Sequence, residues 1–333
     1  MRTPKTLATS LLTLSAAALL ALSAAGAATA SPAPAKAPVS ASDVASHTVT
    51  DTGTAAYWTA ERMRNAVPGD VLADKAMKRN GKSASKPAAA PLEGAAPSTV
   101  EATAPTRASG IQTKANAGES PVPHIGKVFF TLGGTNYVCS GNSVSSGNKS
   151  TVSTAGHCVN EGPGAFATKF TFVPAYLNGA APYGKWTARA LYTPTQWSSG
   201  GDMTYDTAFA VMSTLNGKYL SDVVGGSGVQ FNAARGLSYK SFGYPAAAPF
   251  NGESLKSCSG TATNDPYNPQ FNTQGIPCNM TGGSSGGPWF IGTSSSGYQN
   301  SINSYGYGSN SNKMYGPYWG SVIQQAYSTA AAS

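Results

Sequence analysis

The sequence predicts an all-β fold for residues 120–333. Short runs of strand-forming residues recur there between turns rich in Gly, Asn and Ser. Helical periodicity is absent from this part until 321–327, where Ser321 can cap one short C-terminal helix. Residues 31–119 are instead rich in Ala, Pro, Ser and Thr, a composition that cannot build a core. We therefore expect a sandwich or barrel preceded by a largely disordered segment.

The individual strands follow from the same alternation of apolar runs and turns. Each run is short and is bounded by residues that favour turns. The predicted strands are 127–132, 135–139, 150–154, 169–174, 186–192, 206–212, 237–242, 288–291 and 300–305.

The first thirty residues have the three parts of a secretory signal peptide. A basic start precedes an apolar stretch at 11–25, and Ala28, Thr29 and Ala30 form an A-x-A cleavage site. A transmembrane helix is the alternative, but the stretch is shorter than the roughly 20 residues that span a bilayer. We expect removal of 1–30 and a secreted, extracellular protein with no membrane contact afterwards.

Residues 31–119 are predicted to form a pro-segment. One island near 55–67 can form a short amphipathic helix, which Pro68 and Gly69 would end. A transient helix in a linker is the alternative. Our hypothesis is that Tyr57, Trp58 and Met63 dock onto the immature protein, so that the segment is a transient intramolecular partner that assists folding or covers a cleft.

The formal net charge of +8 does not indicate a nucleic-acid partner. Basic residues are scattered, and no run of them is interleaved with aromatic residues. From Ser120 onward ten Lys and Arg face six Asp and Glu, a net of +4, so half of the excess lies in the part that we expect to be removed.

Four cysteines, all beyond residue 138, are compatible with disulfides in an exported protein. Four cysteines allow three pairings, and the residues alone do not choose among them. A zinc site is the rival explanation, but the chain has no C-x-x-C and no paired histidines, and no metal is predicted.

Three separate segments carry residues suited to nucleophilic catalysis. The sequence T-G-G-S-S-G-G-P at 281–288 places Ser285 in a turn built of glycines, and T-A-G-H-C at 154–158 supplies His157. The sequence Y-D-T-A-F-A-V at 205–211 places an acid before an apolar run. A serine hydroxyl becomes a nucleophile when an imidazole takes its proton and an acid holds that imidazole in place.

Other candidates for the base and the acid are weaker. His47 lies in a low-complexity stretch, and His124 directly precedes the first predicted strand of the all-β part. Asp202 follows a Ser-Ser-Gly-Gly loop and is typical of a solvated carboxylate, whereas Asp206 opens the apolar run. Since the acid must be held rigidly behind the imidazole, Asp206 is favoured.

The three segments together resemble the signatures of the chymotrypsin/trypsin-like serine peptidases, whose histidine lies in TAxHC and whose serine lies in GDSGGP. The order His157, Asp206, Ser285 is also that of this family and differs from the order in subtilisins and α/β-hydrolases. The resemblance covers roughly Pro121 to the C-terminus. It implies that Ser285 attacks, that His157 is the base and that Asp206 orients the imidazole.

The resemblance further implies two Greek-key six-stranded β-barrels with a cleft between them and a short C-terminal helix. Barrel one would span about 120–216 and barrel two about 217–333 of a peptidase domain at 120–333. The amide N–H groups of Gly283 and Ser285 are the natural oxyanion donors. This chemistry needs no metal or organic cofactor.

The resemblance also implies the disulfide pairing. In relatives the cysteine after the histidine pairs with one on the preceding strand, here Cys158 with Cys139. Cys258 and Cys278 are then left to pair with each other. Each loop would contribute about 3 kcal/mol in the chain-entropy model.

The chain departs from the digestive members of the family beside the serine. Ser284 replaces the aspartate that pairs with a newly cut N-terminus, as in secreted bacterial relatives such as the glutamyl endopeptidases. Substrate-binding residues are expected at Asn279, Met280, Thr281 and Ser304. Neutral Asn279 argues against trypsin-like specificity, the absence of a histidine near Ser304 argues against glutamate specificity, and Met280 favours an apolar or mixed pocket.

These observations predict a secreted serine endopeptidase, made as a pre-pro-enzyme and monomeric, that acts on protein or peptide substrates. Two alternatives stay open: a catalytically silent binding module with the same fold, including a carbohydrate binder that would use the sixteen tyrosines, and an esterase of narrower scope. Reaction with a fluorophosphonate distinguishes an active serine from a silent one.

Overall fold

The computed structural model describes residues 43–82, 95–106, 121–308 and 312–333. The predicted signal peptide at 1–30 lies outside the described residues. The all-β prediction for residues 120–333 is confirmed for the described part of that range, because strands dominate it and the helices there are short. Within the described residues, no helix has the length and apolar character needed to cross a membrane.

The elements are named in chain order. The strands are β1 (Val44–Thr48), β2 (Val67–Pro68), β3 (Ser98–Val100), β4 (Ile125–Leu132), β5 (Thr135–Val144), β6 (Thr151–Thr154), β7 (Thr168–Pro174), β8 (Trp186–Pro194), β9 (Ala208–Met212), β10 (Val229–Phe231), β11 (Ser238–Gly243), β12 (Lys256–Thr261), β13 (Thr263–Asn264), β14 (Thr273–Pro277), β15 (Pro288–Ile291), β16 (Gln299–Ile302) and β17 (Lys313–Pro317). The helices are α1 (Thr54–Tyr57), α2 (Ala60–Arg64), α3 (Asp70–Lys82), α4 (Thr195–Gly200), α5 (Leu220–Val224) and α6 (Ser321–Ala331). Two 3₁₀ turns lie at Gly156–Cys158 and Met203–Tyr205.

Strands β4 to β9 close into a six-stranded antiparallel barrel, which we call barrel one. Its order is β4-β5-β6-β9-β8-β7, and the ladder between β7 and β4 completes the ring. Alternate residues of β4 face opposite sides: Val128 and Phe130 join the inner core, whereas Ile125 and Phe129 join a second cluster that contains Trp58. The outer face of β4 is therefore covered by a segment from outside the barrel.

The second unit, from β10 to β17, is less regular than the closed barrel that the resemblance implied. Hydrogen bonds divide it into a sheet of order β12-β11-β15-β16-β10-β3 and a sheet of order β13-β14-β17. The two sheets meet where β12 continues into β13. Pairing with β14 stops there because Pro277, which packs on Gly260, has no N–H to donate.

The C-terminal helix α6 packs against barrel one through Ile323 and Tyr327, which lie in the inner core cluster. Its N-cap is Gly320, and no side chain caps it. The prediction that Ser321 caps this helix is wrong, since Ser321 is the first helical residue and its hydroxyl donates to Asn232 Oδ1 at 3.3 Å.

Two disulfides join Cys139 to Cys158 and Cys258 to Cys278, which are the pairings that the resemblance implied. The first ties β5 to the 3₁₀ turn of His157. The second ties β12 to the residue that follows β14 and so crosses between the two sheets of the second unit.

Replacing Cys258 and Cys278 together by alanine is expected to lower the free energy of unfolding by about 3 kcal/mol, because the closed loop of 20 residues restricts the unfolded chain. Urea unfolding of the wild type and the double variant measures this change. Reductant should destabilise the wild type more than the variant, because it breaks two disulfides in the wild type and one in the variant. A loss below about 1 kcal/mol contradicts the expectation.

The described residues 43–82 and 95–106, here called the N-terminal segment, form helices and strands on the peptidase part. β1 adds to the edge of β8, β2 pairs with β5, and β3 pairs with β10. The buried Trp58 donates its Nε1–H to the Lys169 carbonyl at 2.7 Å. The expectation of a largely disordered pro-segment does not hold for these two stretches, because the first packs onto barrel one and the second pairs with β10.

The helical island predicted near 55–67 corresponds to α1 and α2, and Trp58 and Met63 are buried. The chain does not remain irregular after Pro68 and Gly69. It continues into α3, a helix of 13 residues that the sequence reasoning missed.

Candidate active site

His157 and Asp206 form a buried pair at the edge of barrel one. His157 lies in the 3₁₀ turn after β6, and Asp206 directly follows the 3₁₀ turn before β9. The imidazole Nδ1 is 2.8 Å from Asp206 Oδ2, and the His157 backbone N–H donates to Asp206 Oδ1 at 2.8 Å. Both side chains are fully buried. An ionised carboxylate only accepts, so Nδ1 is the donor of this contact. In a neutral imidazole with this tautomer, Nε2 is the nitrogen with the lone pair.

The competing candidates have other roles. Asp202 caps the 3₁₀ turn by accepting a hydrogen bond from the Thr204 N–H at 2.9 Å. His47 lies in β1 of the N-terminal segment, where it stacks on Phe166. His124 is bonded to Asn142 at 2.8 Å, and burial lowers its pKa.

The turn that contains Ser285 makes tight backbone contacts with β5 and with the end of β6. The Ser285 carbonyl accepts a hydrogen bond from the Ser140 N–H at 2.7 Å. A Cβ on Gly286 would lie 2.7 Å from the backbone nitrogen of Ala155, so only glycine allows the turn to pack against the strand end that leads to His157. The buried Nε2 of His157 makes no hydrogen bond within the described residues, and no bond therefore joins it to Ser285 Oγ.

Ser304 lies behind the pair rather than only in a substrate pocket. Its hydroxyl donates to Asp206 Oδ2 at 2.5 Å, and the residue is buried. The same carboxylate oxygen thus contacts both the imidazole and this hydroxyl. Sequence reasoning placed Ser304 among the substrate-binding residues; it does line the cavity beside Ser285, but its hydroxyl is already engaged.

The turn before Ser285 has a fixed orientation. The Gly282 carbonyl accepts a hydrogen bond from the Ala246 N–H at 2.6 Å, and Gly283 adopts a φ of +92° that favours glycine. Because carbonyl and N–H point in opposite directions in a trans peptide, the Gly283 N–H points away from Ala246. Neither this N–H nor that of Ser285 donates to a protein acceptor within the described residues.

A cavity of about 320 Å³ opens beside Ser285. All four predicted substrate-binding residues line it, together with Tyr305 and Met314: they are Asn279, Met280, Thr281 and Ser304. Met280 and Met314 also belong to one apolar cluster of the second unit. The Thr281 hydroxyl is engaged, since it donates to the Ala247 carbonyl at 2.7 Å. The lining is therefore apolar in part and carries the amide of Asn279.

Part of the N-terminal segment lines this cavity, through Asp70, Ala73 and Asp74. β2 runs parallel to β5, the Gly69 N–H donates to the Val138 carbonyl at 2.9 Å, and Leu72 at the start of α3 is buried in the core of barrel one. Further along α3, Arg79 donates to the carbonyl of Glu161 at 2.9 Å and also to that of its neighbour.

Asp70 of this segment enters the cavity. A Cβ on Gly282 would lie 2.1 Å from Asp70 Oδ1, so the carboxyl lies directly on the turn before Ser285. This Oδ1 is buried and has no hydrogen-bond partner within the described part of the chain. Burial raises the pKa of the Asp70 carboxyl and the neighbouring Asp74 raises it further, whereas His157 acts in the opposite direction.

Among the described residues, one group of potential metal ligands is close enough to share an ion: Cys139, His157 and Cys158. Both cysteines are joined in a disulfide and have no thiolate to offer.

The comparisons with known proteins give solved structures alone. No family model and no curated protein matches the chain. The crystal structure of the protease Anisep from Arthrobacter nicotinovorans is similar with 85% identity over 65% of this chain and 99% of its own, with a TM-score of 0.64. The thermostable serine protease AL20 from an extremophilic microorganism is 53% identical over 64% of this chain and 98% of its own, with a TM-score of 0.62. A Glu endopeptidase, 20% identical over 67% of this chain and 96% of its own with a TM-score of 0.52, supports the fold alone.

Proposed function

The chain belongs to the chymotrypsin/trypsin-like family of serine peptidases and is a serine endopeptidase, and we propose that Ser285, His157 and Asp206 form its catalytic triad. The observation that carries this proposal is the buried contact of 2.8 Å between His157 Nδ1 and Asp206 Oδ2. It leaves Nε2, which has no hydrogen-bond partner within the described residues, as the nitrogen proposed to take the Ser285 proton.

The proposed reaction has two halves. Ser285 Oγ forms a bond to the carbonyl carbon of the scissile peptide while His157 Nε2 takes the hydroxyl proton. The same proton then passes to the leaving amine, the C–N bond breaks and an acyl-enzyme remains. Water attacks this ester with His157 as base again, which releases the acid and restores Ser285. The N–H groups of Gly283 and Ser285 hold the oxyanion in both halves.

Asp206 is proposed to keep His157 in the reactive tautomer and to stabilise the imidazolium. Its two oxygens take three hydrogen bonds: from His157 N–H, from Nδ1–H and from the Ser304 hydroxyl. This set fixes both the carboxylate and the ring plane, so Ser304 acts through Asp206.

For the residue before the cut bond, we propose an uncharged and largely apolar side chain. Met280 and Met314 supply apolar wall to the cavity, and Asn279 supplies a neutral amide. Lys313 also lines it, but its Nζ donates to Thr263 Oγ1 at 2.7 Å. No acidic residue of the peptidase part lines the cavity among the described residues, which disfavours a preference for Lys or Arg.

We further propose that the protein is made as a secreted pre-pro-enzyme in which the N-terminal segment blocks the cleft. Asp70 on Gly282 and the parallel pairing of β2 support this role. The alignment with Anisep covers 65% of 333 residues, about 216, and the peptidase domain expected at 120–333 has 214. Two disulfides are compatible with export.

The test of function is digestion of a mixed peptide library by the processed protein, read by mass spectrometry beside fluorophosphonate labelling. Peptide cleavage with labelling at Ser285 is the expected result, and the residues before the cut bonds report the pocket preference. Labelling with cleavage of small esters only supports the narrower esterase. A protein that neither cuts nor labels overturns the proposed triad and favours a silent binding module.

Replacing Asp70 by asparagine is expected to tighten the blocking contact at neutral pH. Docking raises the pKa of Asp70 above its ordinary 3.8, so docking favours the neutral carboxyl. The wild-type contact is therefore strongest below pH 3.8 and weakens as pH rises through the docked pKa. The amide of the Asp70→Asn variant has no charge to desolvate, although Asp74 and His157 still face it.

The measurement is the rate of fluorophosphonate labelling of the unprocessed chain, divided by the rate for processed enzyme at the same pH. The ratio should be smaller for Asp70→Asn at pH 7, and the two chains should converge toward pH 3.8. A larger ratio for the variant at neutral pH contradicts the proposed role of burial.

A further inference from the structure

Three consecutive carbonyls before Ser285 each accept a hydrogen bond from another part of the chain. The Gly282 carbonyl accepts from the Ala246 N–H at 2.6 Å, and the Gly283 carbonyl accepts from Ser140 Oγ at 2.9 Å. The Ser284 carbonyl accepts from Asn303 Nδ2 at 3.0 Å and from a backbone N–H three residues on. The whole turn is thus fixed peptide by peptide.

A fixed carbonyl also fixes the N–H of the same peptide unit, because the unit is planar and trans. The bond at the Gly282 carbonyl orients the N–H of Gly283. The bonds at the Ser284 carbonyl orient the N–H of Ser285. These are the two donors that the proposed mechanism needs for the oxyanion, and their value depends on being oriented before the reaction begins.

Ser140 connects the turn to the loop that contains Ala246. Its hydroxyl donates to the Gly283 carbonyl and accepts from the Tyr244 N–H at 2.8 Å, so one oxygen bridges two backbones. Ser140 is fully buried on β5, next to a disulfide cysteine. Without this hydroxyl, Tyr244 N–H and the Gly283 carbonyl would each lose a buried partner.

Asn303 connects the same turn to the sheet of the second unit. Its Nδ2 donates to the carbonyls of Ser284 and Phe242, the latter at 2.9 Å, and its Oδ1 accepts from Trp289 Nε1 at 2.7 Å. The side chain is fully buried and its contacts lie on three separate elements. The amide oxygen accepts from one fixed donor and the amide nitrogen donates to two fixed carbonyls, so the side chain has a single orientation here.

We propose that Ser140 and Asn303 are positioning residues that hold the oxyanion turn in its working shape by neutral hydrogen bonds. Ser284 cannot form an ion pair, and its hydroxyl turns inward to the Thr281 carbonyl at 2.8 Å. The turn therefore has its orienting bonds while the N-terminal segment is still attached. The inference rests on Ser285 as the nucleophile of the proposed function.

The test compares Ser140→Ala with Ser143→Ala on the same strand. Ser143 is also fully buried and donates to a carbonyl at 2.9 Å, that of Gly225, away from the turn. Each processed variant is assayed for kinact and KI with a fluorophosphonate, for kcat and KM on a peptide that the wild type cuts, and for Tm.

Ser140→Ala is expected to lower kinact and kcat about 10- to 100-fold with KI and KM within about twofold, below the 10²- to 10³-fold typical of removing an oxyanion donor. Ser143→Ala should lower Tm by a similar amount with kinact unchanged. Ser140→Cys, which keeps a weak donor, should recover part of the loss. Equal rate changes in the two alanine variants, or a change in KM alone, would overturn the proposal.

If Ser140→Ala does not fold, Asn303→Asp tests the proposal independently, and Asn300→Asp is its control. Asn300 is a buried amide on β16 that accepts from Tyr239 Oη and donates to the Gln230 carbonyl, both at 2.7 Å. A loss of kinact confined to Asn303→Asp supports the proposal, and equal losses reject it. Failure of the wild type to label would instead refute the proposed function, so the two failures are distinguishable.

Discussion

Replacing Ser285 by alanine is expected to lower kcat for peptide hydrolysis by about 10⁶-fold, because it removes the only atom proposed to bond to the substrate. Asp206→Asn should cost about 10⁴-fold, since an amide facing His157 Nδ1 can donate to it and so favours the tautomer with Nε2 protonated. Steady-state hydrolysis of a peptide from the library digestion measures both changes.

Asp202→Asn is the matched control for the acid. Asp202 lies four residues earlier, and its carboxylate accepts from the Thr204 N–H at 2.9 Å, a bond that the asparagine oxygen can also accept, so kcat should stay within about twofold. Circular dichroism and Tm separate a catalytic loss from unfolding. Equal losses for the two aspartate variants would mean that the orienting acid has been misassigned, and peptide cleavage by Ser285→Ala at the wild-type rate would remove the serine mechanism.

The segments that carry the proposed triad have signals that are local in sequence, and the disulfide pairing followed from the resemblance that these segments support. Ser285 lies in a turn of glycines whose tight contacts exclude side chains, and Cys158 follows His157 directly. Close packing around such sites restricts which residues the turn can contain. The motifs and their order along the chain can therefore be recognised from the sequence without the structure.

The positioning residues could not be found in this way. Ser140 lies in β5, whereas Asn303 and Ser304 directly follow β16, and nothing in their neighbours in sequence indicates which groups they contact. Their hydrogen-bond partners lie 14 to 143 residues away in sequence, and the contacts of Ser140 and Ser304 join the two units only when both are folded. A buried polar residue in a predicted strand near the motifs is the one signal available.

Helix α3 was missed for a related reason. Leu72, Ala73 and Ala76 form a short apolar stripe on α3, too small to predict a stable isolated helix. The stripe gains its stability from barrel one and from Trp197 and Tyr305, with which Ala73 and Ala76 share a cluster. Composition indicates that the segment cannot form a core of its own. It does not show that the segment can pack against the core of another part of the chain.

The second large effect concerns the N-terminal segment as the proposed cover of the cleft. The unprocessed chain is expected to react with a fluorophosphonate about 10³-fold more slowly than the processed enzyme, because a tethered segment acts at an effective concentration near millimolar and a contact of micromolar affinity is then almost always closed. Purified unprocessed chain and processed enzyme, labelled side by side over time, give the two rates. Equal rates would show that the cleft is accessible with the segment attached.

Variants of the segment test whether packing holds the cover closed. Leu72 is buried in the core of barrel one, so Leu72→Ala should weaken docking by about 3 kcal/mol and raise the labelling rate of the unprocessed chain about 100-fold. Val71 on the same helix is 37% exposed, and Val71→Ala should change that rate less than twofold. Since labelling of the closed chain requires local opening, its rate follows the free energy of that opening and not global stability. If the segment acted only during folding, neither variant would change the labelling rate of the unprocessed chain. If docked residues block the cleft, Leu72→Ala must raise that rate more than Val71→Ala does.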